Sequence, residues 1–293
     1  MRIRSAALAI AALLVLACGT ADERASPATA PPATPSPSPS VPSSPTSTAA
    51  PDVFALARGL EARDPKALTA ALVSAERAIR SHADDVTQPA RIQQAMYRQL
   101  VRTPDWRARS YELVPDDLID AVKANVQAGA ELRALTQPRD ELPPWRIVEP
   151  PSAQRLRAAY DAAADEFGIG WEYLAAIHLS ETRMGRIRGT STAGAKGPMQ
   201  FLPSTWAAYG KGDINDPEDA IMAAARYLKA HGAPGDMARA LFAYNHSDHY
   251  VKAISLYAEV IRTDERAYRG YHAWQVYYRT TGGDALLYEG WRR

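Results

Sequence analysis

Leu179-Ser180-Glu181-Thr182-Arg183-Met184-Gly185, followed by Ser191-Thr192-Ala193-Gly194-Ala195-Lys196-Gly197-Pro198-Met199-Gln200-Phe201, is the stretch on which the reading of this chain turns. An apolar helix is expected to begin near Trp171. On it Glu181 stands four residues after Ile177, seven after Leu174 and ten after Trp171, so all four share one face. The apolar members must face a core, which carries Glu181 to that core's edge. Desolvation there disfavours the charged carboxylate and raises its pKa. An acid kept protonated near neutrality can donate a proton to a leaving oxygen. The competing reading is a surface glutamate paired with Arg183 or Arg186.

The loop strengthens the first reading. Gly185, Gly189, Gly194 and Gly197 let the chain fold back over the helix end. Gln200, between Met199 and Phe201, brings an amide that donates and accepts at once, which suits an acetamido group or a sugar hydroxyl. Pro203-Ser204-Thr205-Trp206 opens a short helix. Downstream, Ala243-Tyr244-Asn245 ends another helix and opens a loop, where polar groups can face a cleft.

Working outward, a helix over about 152–167 is expected to stop at Gly168. Asp216-Pro217-Glu218-Asp219 is a strong helix start, with a cap, a first-turn proline and first-turn acids, and that helix should run to Gly232. Further helices are expected over Met237 to Ala243 and from a Ser247 cap to Arg262. No long strand is expected in this half, although the glycine-rich loop could hold a short hairpin. Toward the N-terminus, Val53 to Gln137 is helical throughout. Asp64-Pro65 starts one helix, and Leu68, Leu72, Ala75 and Ile79 give it an apolar stripe. Ile92, Met96 and Leu100 make a second stripe, and Leu118, Val122 and Val126 a third. No titratable cluster converges there, so residues 53–140 read as a helical accessory module. The proline-rich segment Pro138 to Pro151 is its boundary with a second domain at 150–293. The fold class is mainly α.

The first 17 residues read as a signal peptide, with Arg2 and Arg4 before a short apolar run from Ala6 to Ala17. A membrane span needs about 20 such residues. The run ends at Val15-Leu16-Ala17-Cys18-Gly19, and Cys18 is the chain's one cysteine. Residues 18–52 are rich in Ala, Pro, Ser and Thr, with prolines at 27, 31, 32, 35, 37, 39, 42, 45 and 51. Such a linker favours extended polyproline II and could hold the folded part up to roughly 100 Å from its anchor. Without Arg2 and Arg4 the 34 basic residues become 32 against 33 acidic ones. That balance argues against nucleic acid as a partner and suits an uncharged or weakly charged polymer such as a glycan.

On these residues the chain resembles a lytic transglycosylase of the lysozyme-like superfamily, in a lipoprotein form. The resemblance runs from about Ala153 to Ala258. It is densest at Glu181-Thr182, at Gly194-Ala195-x-Gly197-Pro198-Met199-Gln200-Phe201-x-Pro203-Ser204-Thr205-Trp206, at Asp216-Pro217-x-Asp219-Ala220 and at Ala243-Tyr244-Asn245. It implies an α+β lysozyme-like domain in which Glu181 is the single catalytic acid and then base. Ser191, Met199 and Gln200 would contact the glycan, with Tyr244 and Asn245 beside the glutamate. Cys18 resembles the lipid-acceptor cysteine of a lipobox, implying cleavage before it and a membrane anchor on the outer face, reaching into the cell wall; the alternative is an ordinary secretory peptide with an incidental cysteine. Thr182 departs from the commoner Glu-Ser pair and is similar to the membrane-bound branch of the family.

The implied reaction cleaves the bond between N-acetylmuramic acid and N-acetylglucosamine in peptidoglycan and closes a 1,6-anhydro ring, with no metal or cofactor. A lysozyme-type hydrolase and a non-catalytic glycan-binding scaffold remain open alternatives. A two-carboxylate glycosidase would need a second acid, and Asp213, Asp216 and Asp219 read as turn and cap residues. His246 and His249 read as loop and cap residues, since a zinc site wants a third ligand. In the tail, Tyr271, Trp274 and Tyr278 have helical spacing and read mostly as packing.

Overall fold

The computed structural model describes residues 51–81 and 84–293. The expected signal peptide, Cys18 and nearly all of the linker lie outside the described residues. Within them, the N-terminal half builds α1 (Val53–Arg58), α2 (Pro65–Arg80), α3 (Thr87–Arg102), a single 3-10 turn (Pro104–Trp106), α4 (Arg107–Leu113) and α5 (Asp116–Ala134). The second half builds α6 (Ala153–Phe167), α7 (Trp171–Thr182), α8 (Pro203–Tyr209), α9 (Pro217–Ala230), α10 (Met237–Asn245), α11 (Asp248–Thr263) and α12 (Ala267–Ala273). The fold is therefore mainly α. None of the described helices is long and apolar enough to cross a membrane.

Local signals fix several helix ends. The Asp64 carboxylate accepts from the Ala67 N–H at 2.8 Å and Pro65 opens α2. Asp216 accepts from the N–H groups of Glu218 and Asp219 at the head of α9, ahead of Pro217. Gly168 ends α6 in the left-handed region at φ 67°. The stripe residues Leu68, Leu72, Ala75, Ile79, Met96, Leu100, Leu118, Val122 and Val126 are all buried, while Ile92 is half-buried.

α7 is the axle of the molecule. Leu174, Ala175, Ala176, Ile177, His178 and Leu179 are fully buried, so the helix is enclosed all round by α6, α9, α11 and α12. α11 packs on α7 with one face and on α5 with another. The helices of 53–140 thereby share one continuous apolar core with those of 150–293. Polar ties cross the same seam: the Tyr271 hydroxyl donates to Asn125 Oδ1 at 2.7 Å, and Trp274 Nε1 donates to Gln93 Oε1 at 2.8 Å.

Two small antiparallel sheets complete the fold. β1 (Arg146–Ile147) pairs with β2 (Ile187–Arg188) in the register Arg146↔Arg188 and Ile147↔Ile187. β3 (Val276–Thr280) and β4 (Gly283–Leu287) form a hairpin closed by Thr281-Gly282. This hairpin corrects the helical reading of Tyr278. The inward residues Val276, Tyr278 and Thr280 alternate with period two, and Val276 and Tyr278 pack with Val53, Ile147, Ala285, Leu287 and Trp291 in a second apolar cluster. Asp284 pins the hairpin to α3 and α5 through Arg98 at 2.5 Å and Arg133 at 3.4 Å. Burial pushes the Asp284 carboxyl up, but the surrounding Arg98, Arg133 and Arg102 hold it below its ordinary value. The glycine-rich loop holds one isolated antiparallel bridge, between Lys196 and Phe201.

Candidate active site

The last turn of α7 delivers Glu181 to the floor of a cleft. One wall is the glycine-rich loop and the α10 end, through Ser191, Ala195, Gln200 and Asn245, with Tyr250 of α11 beside the acid. The opposite wall comes from the N-terminal helices and the hairpin, including Tyr97, Arg98, Asn125, Arg133 and Tyr277. Glu181 is half-buried, and its Oε1 accepts a hydrogen bond from the Tyr250 hydroxyl at 2.8 Å. Burial raises its pKa from 4.5 to about 7, against the Tyr250 hydrogen bond, which lowers it. A carboxyl in that condition is close to half-protonated at neutral pH.

The arginines that could have neutralised Glu181 are engaged elsewhere. Arg183 Nη1 donates to the Leu179 carbonyl at 2.6 Å, and Arg186 Nε to the Trp274 carbonyl at 3.0 Å. No ion pair to Glu181 forms among the described residues. One turn earlier on α7, His178 is fully buried and shares a 2.7 Å hydrogen bond from Nδ1 with the Tyr160 hydroxyl. Burial pushes its pKa down to about 3, so it is neutral and brings no charge to the acid.

The loop is locked to the helix that carries the acid. The Thr182 hydroxyl donates to the Pro198 carbonyl at 2.6 Å and accepts from the Gly185 N–H at 3.1 Å. Behind the wall, the Tyr244 hydroxyl donates to the Met199 carbonyl at 2.7 Å, and the Tyr244 and Tyr250 rings are parallel at 6.3 Å. Burial, and after it the charge of Glu181, raises the Tyr244 pKa. Gly197 has φ 75°, and a Cβ there would lie 1.9 Å from the Ile214 carbonyl oxygen. Only glycine fits both demands.

Of the expected site residues, Glu181, Ser191, Gln200 and Asn245 line the cleft together. Ser191 Oγ accepts from the Ala195 N–H at 2.9 Å, leaving its own proton to offer. The Gln200 amide donates to the Gly197 carbonyl at 2.9 Å and keeps its oxygen for another donor. Asn245 Oδ1 is buried without a partner, a group waiting for one. Met199 and Tyr244 do not line the cleft: Met199 is fully buried and Tyr244 nearly so, and they brace the loop from behind. His246 ends α10 in the left-handed region at φ 48°, and His249 pairs with Glu131 at 2.6 Å. Among the described residues no group of three or more His, Cys, Asp or Glu side chains could hold a metal ion.

Sequence reasoning missed Tyr250 and the whole opposite wall. The residues 53–140, read as support alone, contribute Arg98, Asn125 and Arg133 to the cleft. A polar residue beside a buried stripe, such as Asn125 next to Val122 and Val126, was the available signal.

Comparison with known proteins bears on the same segment. Residues 158–258 match the family model of the transglycosylase SLT domain. The membrane-bound lytic murein transglycosylase F of Maricaulis maris (strain MCS10) is 38% identical over 74 residues, which are 25% of this chain and 16% of that protein. The matched part thus spans about a sixth of the relative's length. No solved structure matches the chain. α7, the glycine-rich loop and the tyrosines of α10 and α11 all lie inside the matched range, so the candidate site falls within the segment that is similar to a transglycosylase SLT domain.

Proposed function

We propose that the chain is a peptidoglycan lytic transglycosylase in which Glu181 acts alone as acid and then base. The observation that carries this reading is that Glu181 is the one carboxylate among the described residues lining the cleft. A hydrolase of the two-carboxylate kind needs a second acid about 5 to 9.5 Å from the first, either as nucleophile or to activate water. A transglycosylase does not. The protonated Glu181 donates to the oxygen linking N-acetylmuramic acid to N-acetylglucosamine, and the C1–O bond breaks. The substrate's acetamido oxygen stabilises the positive anomeric carbon. The Glu181 carboxylate, held by Tyr250, then takes the proton of the muramic C6 hydroxyl as that oxygen bonds to C1. The acid is regenerated and a 1,6-anhydro ring results, with no water consumed.

In this reading Ser191, Gln200 and Asn245 hold the sugars' acetamido and hydroxyl groups, while Met199 and Tyr244 keep the wall in place. Cys18 would carry a lipid that anchors the enzyme to the outer face of the membrane, with residues 18–52 reaching into the wall. The test is mass spectrometry of the products from purified peptidoglycan, with Glu181→Gln in parallel. Anhydromuramoyl ends are expected from the wild type, falling by about 10²–10⁴-fold in the variant. Ordinary reducing ends would make the chain a hydrolase, and absence of any product with retained glycan binding would make it a scaffold.

A further inference from the structure

A second cleft lies behind the glycine-rich loop, lined by Arg146, Ile187, Arg188, Gly189, Thr190, Lys196, Gly197 and Asn215 among others. Its cations are arranged by the β1–β2 pairing. Arg146 and Arg188 are register partners, so their side chains leave the sheet on the same face. Arg292 bridges Arg146 from the other side, extending the row to three guanidinium groups across adjacent strands about 4.8 Å apart. The other pair of the sheet, Ile147↔Ile187, packs toward the second apolar cluster.

Like charges directly opposite one another destabilise a strand pair. No carboxylate forms an ion pair with Arg146, Arg188, Arg292 or Lys196 among the described residues. Elsewhere the same chain pairs its arginines: Arg155 with Glu218, Arg157 with Asp161, and Arg98 and Arg133 with Asp284. Asp213, next to the cleft, is engaged by the N–H and the side-chain amide of Asn215. Arg188 is half-buried, and burial first, then Arg146, lower its pKa. A repulsive row kept unneutralised is the arrangement expected where a ligand supplies the missing charge.

The second cleft adjoins the first. Ile187 lines both. Trp145, in the wall of the first, presses on Gly189 of the second so closely that a Cβ there would lie 2.5 Å from its ring. A strand lying over Glu181 can therefore send a side group across the lip at Ile187. We infer that the cleft behind the loop is a subsite for an oxyanion borne by the glycan strand, gripped by Arg146 and Arg188 with Lys196 at its rim and Arg292 on the strand beside Arg146. It rests on the reading of the chain as acting on peptidoglycan. Two parts of a cell wall carry such groups: the carboxylates of peptide stems and the phosphodiesters of wall-linked polymers. Planar guanidinium groups bind either in two-point fashion.

The experiment measures binding of full-length protein to glycan strands, with Glu181→Gln present throughout to hold turnover off. Strands are used intact, after amidase removal of the stems, and after acid removal of phosphate polymer. Arg146→Gln with Arg188→Gln should weaken binding to intact strands by about tenfold or more, the scale of one charge-assisted contact. Its thermal midpoint should not fall, since a repulsion is removed. Should the double variant fail to fold, Arg292→Gln with Lys196→Gln, both exposed, should lower affinity and flatten its salt dependence. Loss of the wild-type advantage with the stems assigns carboxylate as the ligand, and loss with the polymer assigns phosphate. Unchanged affinity of the folded variants for all three preparations overturns the subsite. Binding through this cleft without anhydro products from the active chain would instead count against the proposed reaction alone.

Discussion

At the scale of single residues, the acid is set by two neighbours of opposite effect. Burial among Ile177, Leu174 and the loop raises Glu181, and the Tyr250 hydroxyl draws it partway back by favouring the charged form. Removing that hydroxyl should therefore raise the pKa further. In the proposed reaction the proton-donating step needs the protonated acid, so kcat/KM should fall as pH rises through about 7 in the wild type. In Tyr250→Phe that alkaline limb should move to higher pH, with kcat lower by about tenfold or more because the carboxylate loses its donor. A rate–pH profile on both proteins checks this, and an unmoved limb would detach Tyr250 from the titration. Glu181 was legible in the sequence because helical spacing ties it to Ile177 and Leu174. Tyr250 was not, since it meets the acid from a helix 69 residues away, and nothing local marks which of its faces turns inward.

At the scale of elements, the loop from Gly189 to Phe201 is held by the Thr182 and Tyr244 hydroxyls and also by close backbone approach. Gly197 combines a left-handed backbone with contact against the Ile214 carbonyl. Gly197→Ala should destabilise the chain by about 3 kcal/mol or more, from strain plus displacement of Ile214. Urea melts of the two proteins measure it, and a midpoint shift near zero would mean the loop can move aside. The helix starts at Asp64-Pro65 and Asp216-Pro217 were readable because capping is a local matter of neighbouring residues. The C-terminal hairpin was not read, because Tyr271, Trp274 and Tyr278 satisfy a helical period by coincidence. Thr281-Gly282 between Val276-Tyr277-Tyr278 and Ala285-Leu286-Leu287 was the overlooked turn signal.

At the scale of the whole molecule, α11 serves α5 and α7 at once, and Asn125–Tyr271 and Gln93–Trp274 tie the same halves. The chain should thus unfold in one transition, with calorimetric and van't Hoff enthalpies equal. Two resolved transitions in scanning calorimetry would mean that the N-terminal helices fold apart from the rest. The proline-rich segment read as a boundary did not reveal this contact, because a linker's composition reports its own backbone and not what its flanks touch. The acid, its pKa and the loop beside it belong to α7, α10 and α11, whereas much of the facing wall is lent by α3, α5 and the hairpin. The machine and its jaw are thus encoded far apart in the gene. In the proposed reaction, a change in the facing wall would alter which polymer is admitted and leave in place the residues that carry out the chemistry.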